Sequence, residues 1–328
     1  MNFVISSLAL MLAATPCLAE TTAGIAHSRV ASVVERPLSL SIWYPSEEPT
    51  SISVGANPVF EGTPAALDAP LPNGTLPLVV LSHGGLRSAA DSGAWLSASI
   101  ARAGYVAVEV NAPRPNTASL ALNEIWHRPQ DIRRTIDFML TDETWGPRID
   151  GSNVSVAGFA LGATAALISA GAEMDTARYM RSCAADGLME GPDCEWFAAT
   201  GVDLSDTDPE GMEGLTRDPR VTLVIAVNPE YLPALSIAAG DVDILRVELG
   251  DPDVSADNSH LSRAVVIPGA SAFDAFAVCT VAGPDILSEE DGDPLLCGTS
   301  KKARQTIHQD ISETIVHFLK GKEPIDLP

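Results

Sequence analysis

Residues 154–163 read VSVAGFALGA, and the run from Gly162 continues as GATAALISAGA to position 172. The first half has the β-branched, apolar character of a buried strand, and the second half is rich in good helix formers. Gly158 and Gly162 stand on either side of Ala160. A chain that turns directly from strand into helix needs this glycine spacing, which lets the turn be sharp and lets the helix approach the sheet. With serine in the middle, G-x-S-x-G, the turn is a nucleophile elbow that presents the serine at the helix N-terminus. The middle position here is alanine, which has no lone pair to attack a carbonyl and no proton to pass on.

Outward from this turn, apolar runs alternate with helical ones. Strands are predicted over 38–45 (LSLSIWYP), 76–85 (LPLVVLSHGG, entering a glycine loop), 105–110, 153–158, 220–227, 242–249 and 263–269. Helices are predicted over 92–104, 128–140 with Pro129 in the first turn, 162–172 and 303–321. Continuous Val/Ile/Leu strands separated by helices predict a mostly parallel sheet of about eight strands covered on both faces. Residues 173–219 break the alternation with acidic residues, glycines and two cysteines. They read as a lid-like excursion over the edge of the sheet within one domain spanning 20–328. The excursion's Tyr179, Met180, Leu188, Met189, Trp196 and Phe197 are either cleft lining or core beneath it.

The 328 residues carry a formal net charge of -23, from 43 acidic and 20 basic side chains. Such a field repels nucleic acid and anionic membrane surfaces. The first 19 residues end in Cys17-Leu18-Ala19 and read as a secretory signal, so the mature chain is expected in the periplasm or outside the cell. No later run is apolar and long enough to span a bilayer. Four cysteines remain after the signal, and the local pairs Cys183–Cys194 and Cys279–Cys297 are expected as disulfides. No His/Cys cluster has metal-ligand spacing, and no glycine fingerprint for a nucleotide occurs. Neither a metal nor a cofactor is expected.

The strand-to-loop stretch VVLSHGG (79–85) lies upstream of the elbow, where backbone N–H groups stabilise the oxyanion of acyl transfer. The donors expected are Gly85 and Leu161, the residue after the elbow position. His83 is read as a structural group that fixes the loop.

Taken with their order and spacing, several stretches resemble exported bacterial esterases of the α/β-hydrolase superfamily, the predicted dienelactone hydrolases and platelet-activating-factor acetylhydrolase-like enzymes. They are RPLSLSIWYPS (36–46), PLVVLSHGG (77–85), HRPQDIRRTIDFML (127–140), IDGSNVSVAGFALGA (149–163), the Cys183–Cys194 excursion, DPRVTLVIAVNP (218–229) and IPGASAFDAFAVC (267–279). The resemblance implies an α/β-hydrolase fold, a Ser/Asp/His triad, no cofactor, and hydrolysis of ester or lactone bonds. Matched position by position, the serine falls on Ala160 and the histidine, in GASAFDAF, on Ala272. The acid falls on Asp253 in LGDPD, with Asp243 as the second choice. Ser155, Ser271 and His260 are the remaining side chains considered as substitutes, and none forms an evident nucleophile–base pair. The chain therefore reads as an ester-hydrolase scaffold without turnover, its serine and histidine lost by drift or replaced in an active parent. The alternative is a periplasmic protein that binds an apolar ester, a lipid or a protein partner in the same cleft.

Overall fold

Nearly every residue of the apolar runs lies in a strand, and the strands lie side by side in one ten-stranded sheet. The computed structural model describes residues 21–86, 88–184, 193–237, 242–250, 263–290 and 292–321. In chain order the strands are β1 (Thr22–Val30), β2 (Leu38–Ser46), β3 (Ile52–Val54), β4 (Thr63–Leu67), β5 (Leu76–Ser82), β6 (Val106–Asn111), β7 (Ile149–Phe159), β8 (Glu173–Met174), β9 (Val221–Val227), β10 (Leu235–Ser236), β11 (Asp243–Leu249) and β12 (Arg263–Ile267). The helices are α1 (Ala94–Arg102), α2 (Ala118–Ala121), α3 (Glu124–Thr141), α4 (Leu161–Ser169), α5 (Thr176–Met180), α6 (Cys194–Thr200), α7 (Pro209–Glu213), α8 (Gly283–Glu289) and α9 (Lys301–Leu319).

The order across the sheet is β12-β11-β9-β7-β5-β6-β2-β1-β4-β3, and β8 pairs with β10 outside it. From β6 to β12 every pairing is parallel, while β2 is antiparallel to β6 and β1 antiparallel to β2. The sheet exceeds the expected eight strands because the N-terminal residues add β1, β3 and β4 at one edge. Strand β1 (TAGIAHSRV) has a half-polar pattern and pairs along all nine residues with β2.

Each face of the sheet buries its own apolar layer. On one side Ile132, Ile136 and Met139 of α3 and Ala163–Ile168 of α4 pack on Leu78, Val80, Val156 and Val224. On the other, α1 and α9 (Ile311, Ile315, Phe318) pack on Val79, Leu81, Ala157 and Ile225. Strand neighbours alternate between the two layers, as the two-residue period requires. Helix α3 starts at Glu124, before the predicted 128, so Pro129 lies inside the helix and is buried.

The excursion supplies a third cluster. Tyr179, Phe197, Leu204 and Met212 pack with Ala118, Leu122, Ile125, Leu161 and Tyr231. The disulfides Cys183–Cys194 and Cys279–Cys297 are both formed, with Cα–Cα distances of 5.1 and 5.4 Å. Among the described residues no helix is long and apolar enough to cross a membrane. The signal segment lies outside the described residues.

Candidate functional site

Strand β7 ends at Phe159 and α4 begins at Leu161, so Ala160 alone makes the turn. Its backbone has φ 54° and ψ -124°. L-residues avoid this region, which costs about 1–3 kcal/mol. The turn is held by the Ala160 N–H on the Val227 carbonyl (3.0 Å) and by the Ala160 carbonyl, which accepts from Ala163 (2.9 Å) and Thr164 (3.2 Å). Both glycines are required by space. A Cβ on Gly158 would run into the Gly162 carbonyl, and one on Gly162 into the Ser82 carbonyl. Removing those two methyls lets α4 sit directly on the ends of β5 and β7.

The loop after β5 turns on Gly84, at φ 77°. Its carbonyls are gathered by one guanidinium: Arg128 of α3 donates to Gly84 (2.5 Å), Gly85 (2.8 Å) and His83 (3.4 Å). Glu124 in turn accepts from Arg128 (3.3 Å) and from Arg36 (2.7 Å). His83 donates through Nε2 to the Ala275 carbonyl (3.0 Å) and packs on Phe159, ring centroids 4.7 Å apart. Burial is the main cause that holds its pKa down at about 4, so at neutral pH it is an uncharged ring committed to a carbonyl. It braces the loop against residues 272–276.

Those residues carry the second alanine. Ala272 opens a 3-10 turn (Ala272–Ala275) capped by Ser271, whose hydroxyl and N–H both donate to Asp274 (3.0 and 2.8 Å). Asp274 also takes a buried ion pair from Arg304 of α9 at 3.2 Å. His308 of the same helix donates to the carbonyls of Asp274 and Phe276 (both 3.0 Å) and stacks on Trp95 at 3.8 Å. Two residues of one helix thus hold the turn that carries Ala272.

Ala160 and Ala272 line one cavity of about 350 Å³ with His83, Gly84, Gly85, Phe159, Asn228, Glu230, Tyr231, Arg246, Glu248 and Phe276 among its walls. It lies where β5, β7, β9 and β11 end, the usual position for a ligand in a parallel sheet. Gly85 is therefore beside it, and Leu161 directly follows Ala160. Asp243 is not: it is the first residue of β11, at the opposite end of that strand from Glu248. Asp253 and His260 lie outside the described residues. Ser155 is buried within β7, and Ser271 is spent on its cap. Of the aromatic and apolar residues of the excursion, Tyr179 and Phe197 are core and Met180 and Trp196 pack at its edge. None of the four lines the cavity. Leu188 and Met189 lie outside the described residues.

A Ser/His/Asp group lies away from the cavity, with His27 on β1, Ser41 on β2 and Asp91 just before α1. Ser41 donates to Asp91 at 2.6 Å, and its Oγ is 3.5 Å from His27 Nδ1. The hydroxyl proton there points to the carboxylate, not the imidazole, and none of the three lines the cavity beside Ala160. It is a structural network joined by Asn111 (3.0 Å to Asp91). No three His, Cys, Asp or Glu among the described residues are grouped to hold a metal ion.

Several cavity residues carry no sequence motif. Glu230 is buried, 9% exposed, three residues past the end of β9. Burial, with the nearby Asp193 charge, raises its pKa to about 8, against the lowering influence of Arg128 and of the Leu161 N–H. Arg246 and Glu248 pair at 2.6 Å on β11. An acidic residue just past the C-terminal end of a buried strand, in VIAVNPEY, is the one signal that marks Glu230 in the sequence.

No family model and no curated protein matches the chain. Among solved structures it is similar to a ferulic acid esterase from Streptomyces cinnamoneus, with TM-score 0.56 and 17% identity, over 96% of this chain and 95% of that one. At that identity the likeness concerns architecture, and with the parallel sheet, its flanking helices and the sharp turn at Ala160 it gives this chain the α/β-hydrolase fold.

Proposed function

We propose that this chain is a carboxylic-ester or lactone hydrolase scaffold that does not turn over as written, its nucleophile and base positions being Ala160 and Ala272. One observation carries the reading: Ala160 keeps the strained backbone of an elbow, and the cavity it lines is also lined by Ala272. A strained turn has no local benefit for a methyl group, whereas it presents a serine to a substrate. The braces on the other side, Arg304–Asp274 and His308, hold the place where a base would stand. The finer assignment is to the exported dienelactone-hydrolase and acetylhydrolase-like esterases. One domain follows a signal at 1–19, residues 173–219 cover the site, and Asp253 supplies the acid.

With serine at position 160 and histidine at 272, the imidazole would take the hydroxyl proton as the oxygen attacked the ester carbonyl. The amides of Leu161 and Gly85 would face the oxyanion. With two methyls neither step occurs. What remains is binding and polarisation, which sustain roughly 10³–10⁴ over water in a hydrolase stripped of its triad.

The test is hydrolysis of p-nitrophenyl acetate and butyrate by the parent and by Ala160→Ser/Ala272→His. The parent is expected to be silent and the double variant to turn over. Ordinary esterase rates in the parent would refute the reading, and a silent, folded double variant would favour a chain committed to binding an ester, lipid or partner without chemistry.

A further inference from the structure

Glu230 enters the site through an unusual piece of backbone. Asn228 and Tyr231 both have positive φ, 46° and 55°. The segment between them is fixed by Asn228 Oδ1 accepting from Leu249 N–H (2.6 Å), by Thr164 donating to the Glu230 carbonyl (2.5 Å), and by Glu230 N–H on the Ala160 carbonyl (3.4 Å). The result places the Glu230 carboxyl on the elbow. The N–H of Leu161 is close enough to favour its ionised form. Its Oε1 lies 3.4 Å from where a Cβ on Gly85 would stand. The carboxyl thus stands near both expected oxyanion residues. Its Oε2 is buried and has no hydrogen-bond partner among the described residues, although the residue lines the cavity.

An orphaned carboxyl oxygen beside a cavity costs free energy unless something outside the protein meets it. The groups that face it come from every surrounding element: Asp193 before α6, Arg128 of α3, Tyr179 of α5, Tyr231 next in the chain, and across the cavity His83 and the pair Arg246–Glu248. Arg246 is already neutralised by Glu248, and His83 is uncharged at neutral pH. With its pKa near 8, the Glu230 side chain is a carboxylic acid at neutral pH, a donor as well as an acceptor. A carboxylic acid kept neutral by its surroundings is a known way of donating to a carbonyl oxygen inside an oxyanion pocket.

We propose that Glu230 is a carbonyl-recognition group of this cavity: held beside the elbow, it donates from its unpartnered oxygen to the carbonyl of a neutral ester, lactone or amide. This rests on the reading of the Ala160–Ala272 cavity as the ligand site. The aromatic and aliphatic walls, Phe159, Phe276, Tyr231 and Leu232, suit the body of such a ligand.

The test uses the intact chain and butyranilide, a neutral amide with no ester bond to lose, titrated calorimetrically at pH 6.5 and 9.5. If only the protonated carboxyl donates, the parent's Kd weakens roughly thirtyfold between the two, since only a few per cent of it is protonated at pH 9.5. Glu230→Gln, which keeps a donor and cannot ionise, is expected to bind at pH 6.5 within about threefold of the parent and to lose the pH dependence. Glu230→Leu is expected to bind at least tenfold more weakly at pH 6.5. The proposal is overturned if the parent shows no binding at millimolar ligand, if its Kd is the same at both pH values, or if folded Glu230→Leu retains parental affinity. Ala272→Trp, which fills the cavity from an exposed turn, separates the two layers of the argument. If it binds like the parent, the ligand lies elsewhere and the reading of the cavity fails as well. If it blocks binding while Glu230→Leu does not, only the role of Glu230 falls.

Discussion

At the scale of single residues, Ala160 bears a cost with no chemical return. Its φ of 54° with ψ -124° suits glycine. Ala160→Gly is therefore expected to stabilise the chain by roughly 1 kcal/mol, the relief of strain outweighing the added freedom of the unfolded chain. The control is Ala166→Gly in the middle of α4, which is expected to destabilise by about 1 kcal/mol or more. Urea unfolding of the two variants reads both signs, and a loss of stability at both positions would remove the case for strain at the elbow. Ala160 was legible in the sequence because its two glycines fix it by spacing alone. Glu230 was not, because what defines it is burial and a neighbour, Leu161, about seventy positions away in the chain. A carboxylate's surroundings are set by the fold and leave little trace in the residues next to it.

At the scale of elements, the apolar runs gave the positions of β2, β5, β6, β7, β9, β11 and β12: the inner parallel strands are buried on both faces and need Val, Ile and Leu, while β12 keeps the apolar run at an edge where only Ile267 is buried. Strands β1, β3 and β4 escaped the reading: they lie at or near an edge, are partly polar, and take their order from pairing more than from composition. The early start of α3 escaped for a different reason. Pro129 is a usual first-turn residue, but here the helix carries it as an interior residue. The last helix shows how one element can govern a distant turn. Arg304 of α9 is buried against Asp274, also donates to the Ala277 carbonyl (3.0 Å), and thereby fixes the segment with Ala272. Arg304→Met leaves that carboxylate buried without its counter-charge. We expect a loss of about 3 kcal/mol, a drop in Tm of several degrees. The same change placed in Ala160→Ser/Ala272→His should lower kcat more than it raises KM, because the base position is loosened while the cavity walls stay.

At the scale of the molecule, three apolar layers and two disulfides make one connected structure of the described residues. The disulfides close short loops, 11 and 18 residues apart, in the two stretches that depart from the regular alternation of strand and helix. Each is worth about 3 kcal/mol in the chain-entropy picture. Reduction is expected to lower Tm by on the order of 10 °C. A scan with and without reductant measures this, and an unchanged Tm would show that the bridges hold nothing the rest of the fold does not. One carbonyl has a wider mechanical meaning. The oxygen of Ala275 receives both the imidazole of His83 (3.0 Å) and the indole of Trp95 (3.1 Å), and so rivets the glycine loop, the first helix and the segment of Ala272 to a single point. The glycine loop and the segment of Ala272, both walls of the cavity, are thereby tied to the first helix through one atom, so a substitution at Trp95 reaches the site without touching it.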